Sequence, residues 1–299
     1  MQEHHNDQAQ QERCTTIRTR SATEIMTQLC VVVALSEGYL PHLVASLQTI
    51  PAEVSVVAAW AGPGPAPSPE QLHPRLRFVL PRRRLANFER SYLLNVAARH
   101  CGEDYLLLAD ADHLYPDFFF RTVRLDTPTN VIQRFYLGRL AEDATAEVLA
   151  GRRWDELFCD YQGSSKRLPW GRIDRLLASV AKIVARKAEV AHKFQCHRIF
   201  KQIVGVHNPC VYPRSLFFDL RGYDERYVGW GYEDDDLTHR GRLRGAVDVR
   251  LPLIVGHLYH GAESPDYEHY RSNATGQALF QASNPDRDVN TDGWGDVAE

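Results

Sequence analysis

Three short stretches of this sequence bring together side chains able to do chemistry jointly. Asp110-Ala111-Asp112 follows the apolar run Tyr105 to Ala109, YLLLA. Carboxylates two apart at the end of an extended run point to one side, and such a pair suits a hard divalent cation that completes its shell with phosphate oxygens. The second stretch is Arg221 to Arg240, RGYDERYVGWGYEDDDLTHR, in which four acids run from Glu233 to Asp236. Trp230 stands between two glycines beside these carboxylates, an arrangement that stacks an aromatic ring on a sugar face while acids grasp its hydroxyls. The third is Val255 to His260, VGHLYH, whose histidines His257 and His260 reach one ion if the backbone turns between them. Each pattern alone also has an ordinary reading: turn-forming aspartates, an acidic helix start helped by the macrodipole, and surface or core histidines.

The surrounding pattern says what must position these groups. Leu29 to Leu35, LCVVVAL, is a buried strand, followed by an amphipathic stretch at Leu40 to Leu47. Val54 to Ala59 and Leu76 to Leu80 read as strands around the Gly/Pro loop AGPGPAPSP, and a helix over Glu89 to His100 precedes the strand Tyr105 to Ala109. Strands alternating with helices define an α/β fold with a mainly parallel, Rossmann-like sheet whose ligands lie beyond the carboxyl ends of the strands. Residues 136–200 read as a helical insertion on the acceptor side, with helical periodicity at Ala141 to Phe158 and Ile173 to Val190. Strands resume at Ile203 to Tyr212 and Val247 to Leu258, with a helix over Asp234 to Arg244 between them. The expected organisation is a disordered tail at 1–25, one catalytic domain at 26–285 and a polar C-terminal tail at 286–299.

Composition narrows the classes. The chain has 299 residues, 44% hydrophobic and 24% charged, with a net charge of -3. That balance lacks the broad basic face nucleic acid requires, so no nucleic-acid partner is expected. No run approaches the roughly 18 apolar residues of a membrane span, so no stable membrane anchor is expected. Six scattered cysteines form neither a zinc pattern nor a disulfide scaffold, which points to a reducing, cytoplasmic setting.

Taken in order, FERSYLLNVA at Phe88 to Ala97, LADAD at Leu108 to Asp112, GYDERYVGWGYEDDDLTHR at Gly222 to Arg240, and the pair His257 and His260 resemble the β-1,4-galactosyltransferase group and related bacterial enzymes of the GT-A (nucleotide-diphospho-sugar transferase) fold. The resemblance implies an inverting, metal-dependent glycosyltransferase. It would move a sugar from a nucleotide diphosphate donor, UDP by analogy, to a hydroxyl of a saccharide or natural-product acceptor. It implies Mn²⁺ or Mg²⁺ held by Asp112 and His260, with His257 standing where the galactosyltransferases use a methionine. Asp110 and Ala111 would lie at the donor, Phe88 and Arg90 would line the nucleotide pocket with the arginine meeting pyrophosphate, and Asp234 would be the catalytic base. Glu233 and Asp235 would grip acceptor or donor hydroxyls, with Trp230 as the stacking platform for either. The loop after the first strand, Ser36-Glu37-Gly38, departs from the basic motif of that group.

Two other readings stay open at this level. Retaining polypeptide GalNAc-transferase-like enzymes share the sheet and the acidic-histidine site, but they carry Asn where this chain has Asp234, which favours inversion. A catalytically inactive, lectin-like module would keep the fold without turnover. A metal-dependent phosphotransferase finds no phosphate-cradling GxxxxGK[ST] loop in support.

Overall fold

The computed structural model describes residues 26–85, 88–123, 125, 128–154, 200–228, 231–260, 274–282 and 289–296. Eight strands form one sheet: β1 (Leu29–Leu35), β2 (Ser55–Trp60), β3 (Leu76–Val79), β4 (Tyr105–Ala109), β5 (His113–Leu114), β6 (Val131–Leu140), β7 (Phe200–Pro213) and β8 (Val247–His257). The helices are α1 (Leu40–Leu47), α2 (Arg90–Arg99), α3 (Phe119–Thr122), α4 (Glu142–Leu149), α5 (Arg214–Asp219), α6 (Glu233–Leu243) and α7 (Ala274–Gln281).

The sheet order is β3-β2-β1-β4-β7-β6-β8-β5. Strands β3, β2, β1 and β4 run parallel, as the apolar runs and intervening helices predict. Their side chains alternate between two cores. Leu29, Val31, Val33 and Leu35 join Leu43, Leu47, Phe119 and Phe135 on one face. Cys30, Val32 and Ala34 join Leu93, Val96, Phe217 and Trp294 on the other. Burial of both faces is why β1 reads as an unbroken hydrophobic run rather than an alternating one.

Beyond β4 the sheet becomes mixed. β7 is antiparallel to β4 and β6, β8 is parallel to β6, and β5 is antiparallel to β8. β4 and β5 are four pairings apart in the sheet, about 19 Å if it were flat, yet only Asp110 to Asp112 separates them in sequence. The four residue steps from Ala109 to His113 reach about 14 Å at most. The sheet must therefore curl, and register shifts between Arg134 and Tyr136 against both β7 and β8 supply the bend. Curling returns the end of β8 to the end of β4, where the candidate residues lie.

Two sequence expectations differ from this arrangement. Residues 136–140, placed within the helical insertion, belong to β6 inside the sheet. Burial over 136–140 does not alternate, and register shifts between Arg134 and Tyr136 and between Arg139 and Leu140 break the period of two that marks a strand. Helix α4 covers 142–149, whereas 155–199, including the expected helix at Ile173 to Val190, lies outside the described residues. The C-terminal segment also packs more closely than a polar tail would. Val289 and Trp294 are buried, and Trp294 contacts Phe217 and Phe218 edge-on at centroid distances of 5.8 and 5.0 Å while the Arg99 guanidinium covers its ring. Asn290 donates to the carbonyls of Arg221 and Tyr223 at 2.7 Å. The turn it grips requires glycine: Gly222 has φ +68°, and a Cβ there would lie 2.3 Å from Asn95 Oδ1.

Among the described residues no helix is long and apolar enough to cross a membrane. Cys30, Cys101 and Cys210 are buried thiols.

Trp294→Ala should lower unfolding stability by about 3 kcal/mol, read from the urea midpoint, because it empties a buried aromatic site. A change within about 0.5 kcal/mol would show that the segment adds nothing to the core.

Candidate functional site

Two adjoining clusters form at the carboxyl end of β4. The first surrounds Asp112, which is 3% exposed. Pairing of β5 with β8 sets His113 opposite His257, so the residue just before β5 meets the end of β8. Asp112 Oδ2 lies 3.4 Å from His257 Nε2 and 3.2 Å from His260 Nε2. Ligands held about 2.1 Å from one cation, at tetrahedral or octahedral angles, stand about 3.0 to 3.4 Å apart. The other carboxylate oxygen, Asp112 Oδ1, is buried with no hydrogen-bond partner. A buried carboxylate with an unpartnered oxygen beside two imidazole nitrogens fits a divalent cation. Burial alone would favour the protonated acid, but His257 and His260 outweigh it and hold Asp112 well below the ordinary carboxylate range. His260 is shifted upward, first by its hydrogen bond with Asp112.

Ligand atoms of Asp112, His113 and His257 also fall within 4.8 Å of one another. His113 is nonetheless ill-suited to ligation. Its Nδ1 accepts the backbone N–H of Asp110 at 3.2 Å, so a neutral ring carries its proton on Nε2 and offers no lone pair there. Burial pushes this imidazole down to about 4, which keeps it neutral. Its part is to fix the turn between β4 and β5.

The second cluster is built around Arg90. This side chain sits at the N-terminus of α2, where the helix dipole disfavours a cation, and it is almost fully buried. Three carboxylates hold it: Nε donates to Asp110 Oδ1 at 2.8 Å, while Nη1 donates to Glu233 Oε1 at 3.2 Å and Asp234 Oδ1 at 3.1 Å. Asp110 also accepts from Asn208 Nδ2 at 2.8 Å, and Asp234 Oδ1 accepts from the Tyr223 hydroxyl at 2.7 Å. Burial opposes ionisation of Asp110, but Arg90 keeps its carboxyl below the usual range. Burial and the neighbouring Asp234 charge push Glu233 up to about 7. Glu233 and Asp234 open α6, where the macrodipole favours acids.

The structure thus brings Asp112, His257 and His260 together, and it gathers Asp110, Glu233 and Asp234 on Arg90. The two aspartates expected to act on one side diverge, because the turn held by His113 sends Asp110 toward α2 and Asp112 toward β8. Arg90, expected to face pyrophosphate, is held by carboxylates through Nε and Nη1, while its Nη2 is buried without a hydrogen-bond partner. Ala111 is buried between the aspartates, and Phe88 is exposed at the mouth of α2. Asp235 is half-buried on α6, whereas Asp236 pairs internally with Arg240 at 2.7 Å. Trp230 lies outside the described residues. Sequence reasoning missed Tyr223, Asn208, His113, His42 and Tyr39. Tyr223 lies inside a recognised motif and His113 adjoins one, whereas Asn208, His42 and Tyr39 arrive through the fold alone.

The family model for the N-terminal domain of galactosyltransferase matches residues 186–263. That segment contains Glu233, Asp234, His257 and His260. The chain is galactosyltransferase-like across this half of the site, and by class a glycosyltransferase. No curated protein matches the chain. The catalytic domain of Drosophila beta1,4galactosyltransferase 7, solved in complex with xylobiose, is similar at 13% identity over 88% of this chain and 83% of that chain, with a TM-score of 0.41. A likeness at that score carries no argument about activity.

Arg90→Ala should cost about 3 kcal/mol or more, since it strips the partner from buried carboxylates, and Glu233→Gln in the same chain should restore part of that loss. Glu233 titrates near 7 when folded against an ordinary 4.5, so its contribution to stability is greatest below about pH 4.5 and is lost as the pH rises through about 7. Glu233→Gln should accordingly flatten the fall in urea midpoint between about pH 5 and pH 8. An unaltered pH profile would contradict the burial argument.

Proposed function

We propose that the chain is an inverting, divalent-cation-dependent glycosyltransferase of the GT-A type. It transfers a sugar from a nucleotide diphosphate, UDP in the first instance, to a hydroxyl of a saccharide or natural-product acceptor. The observation that carries this reading is the adjacency of two unlike sites at one sheet edge, the Asp112, His257 and His260 cluster and the carboxylate pair Glu233 and Asp234. One suits a cation and the other an acceptor hydroxyl.

Asp112, His257 and His260 would hold Mn²⁺ or Mg²⁺, which when bound supplies positive charge to the departing diphosphate. Asp234 would act as general base, taking the acceptor proton as that oxygen attacks the anomeric carbon opposite the leaving group. Arg90 and Tyr223 both donate to Asp234 Oδ1, which fixes the plane of the carboxylate before the acceptor arrives. A single base suits a single displacement with inversion. Glu233, with its carboxyl raised toward neutrality, offers an acceptor or a donor to a sugar hydroxyl according to its protonation. Asp235 and Trp230 are assigned to sugar contacts, and Asp110, Ala111 and Phe88 to the donor side, where the base and sugar are chosen.

Asp234→Asn preserves the shape of the site while removing the base. Turnover should fall about 10² to 10⁴-fold, with Mn²⁺-dependent nucleotide binding retained. Unchanged turnover would remove Asp234 as the base.

A further inference from the structure

The two histidines beside Asp112 are supported differently. His257 ends β8, and backbone pairing fixes it from both sides, to Arg139 on β6 and to His113 on β5. His260 lies three residues past the strand, beyond any of these pairings. An imidazole that presents Nε2 to a cation must carry its proton on Nδ1, and a partner for that N–H is what holds the ring in place.

The partner comes from an element that sequence analysis left without a role. After β1 the chain makes a short turn over Glu37–Tyr39, which delivers Tyr39 above the Asp112 cluster. The Tyr39 hydroxyl lies 3.4 Å from His260 Nδ1, and the two rings meet edge-on with centroids 5.5 Å apart. Tyr39 also packs against His42, at 5.3 Å between centroids, so the ring is braced by the first turn of α1. His260 Nε2 then faces Asp112 Oδ2 at 3.2 Å.

We propose that Tyr39 is a positioning residue for the cation site, its hydroxyl accepting the Nδ1–H of His260 and so selecting the tautomer and ring orientation that present Nε2 beside Asp112. This rests on the reading of Asp112, His257 and His260 as a cation site. It adds that the loop after β1, 221 residues before His260 in sequence, sets the quality of one ligand. Tyr39 is itself 36% exposed, so the contact is made at the surface rather than locked in the core. Loss of the hydroxyl should therefore alter the cation site without altering the fold.

The test uses the full chain and Mn²⁺ alone, with binding followed by electron paramagnetic resonance in wild type, Tyr39→Phe and His260→Ala. Tyr39→Phe keeps the ring and removes the hydroxyl. It should weaken Mn²⁺ binding by about 10-fold, at the lower end of the effect of removing such an outer partner, with an unchanged urea midpoint. At a Mg²⁺ concentration that just fills the wild-type site, long-range ¹H–¹⁵N spectra should show the His260 proton on Nδ1 in wild type and its partial return to Nε2, where it faces Asp112, in Tyr39→Phe. If His260→Ala weakens Mn²⁺ binding and Tyr39→Phe changes neither affinity nor tautomer, the role of Tyr39 is overturned while the cation site stands. If His260→Ala leaves Mn²⁺ binding intact, the cation site and the role of Tyr39 both fall.

Discussion

A single buried guanidinium, that of Arg90, joins the three pieces of chain from which the acidic half of the site is made. Its partners come from the turn after β4, through Asp110, and from the start of α6, through Glu233 and Asp234, while the arginine itself opens α2. A lone cation buried at a helix N-terminus would be strongly unfavourable, and so would three clustered carboxylates without one. Each makes the other tolerable. The geometry of the proposed base, its orientation by Tyr223 and the raised titration of Glu233 all follow from where that charge is placed.

The second condition is the curl of the sheet. Parallel strands β3 to β4 end in a common edge, and a flat continuation would carry β8 far from it. The bend in β6 and the three-residue link between β4 and β5 return His257 to Asp112. The proposed cation site draws its ligands from residues nearly 150 positions apart, and backbone pairing brings His257 to Asp112. The side chains at the end of that path are then trimmed by contacts from outside it, His113 holding the turn and Tyr39 reaching His260.

The parallel half of the fold was legible because its strands are buried on both faces and read as continuous apolar runs. The chemistry-bearing residues were legible as types, since a carboxylate pair after a buried strand and a histidine pair after another narrow what can happen there. Their division of labour was not legible. Alternation places Asp110 and Asp112 on one side, but the turn at His113 separates them, and no local pattern announces that Asp110 and α6 compete for Arg90. β6 was hidden because its 136–140 portion is not buried in alternation and is broken by register shifts, and Trp294 because an isolated aromatic among Gly and Asp gives no periodic signal. Tyr39 and His42 carry no motif at all. They become visible only when the loop after β1 is seen lying over the end of β8.

On the proposed function, the Asp112 cluster binds a divalent cation on which a nucleotide diphosphate then rests. Calorimetric titration of the full chain with UDP, GDP, TDP and CMP, each with and without Mn²⁺, tests it most directly. One diphosphate, UDP first among them, should bind tightly only when Mn²⁺ is present. Binding of equal strength with and without the cation, or no binding by any of the four, would contradict it.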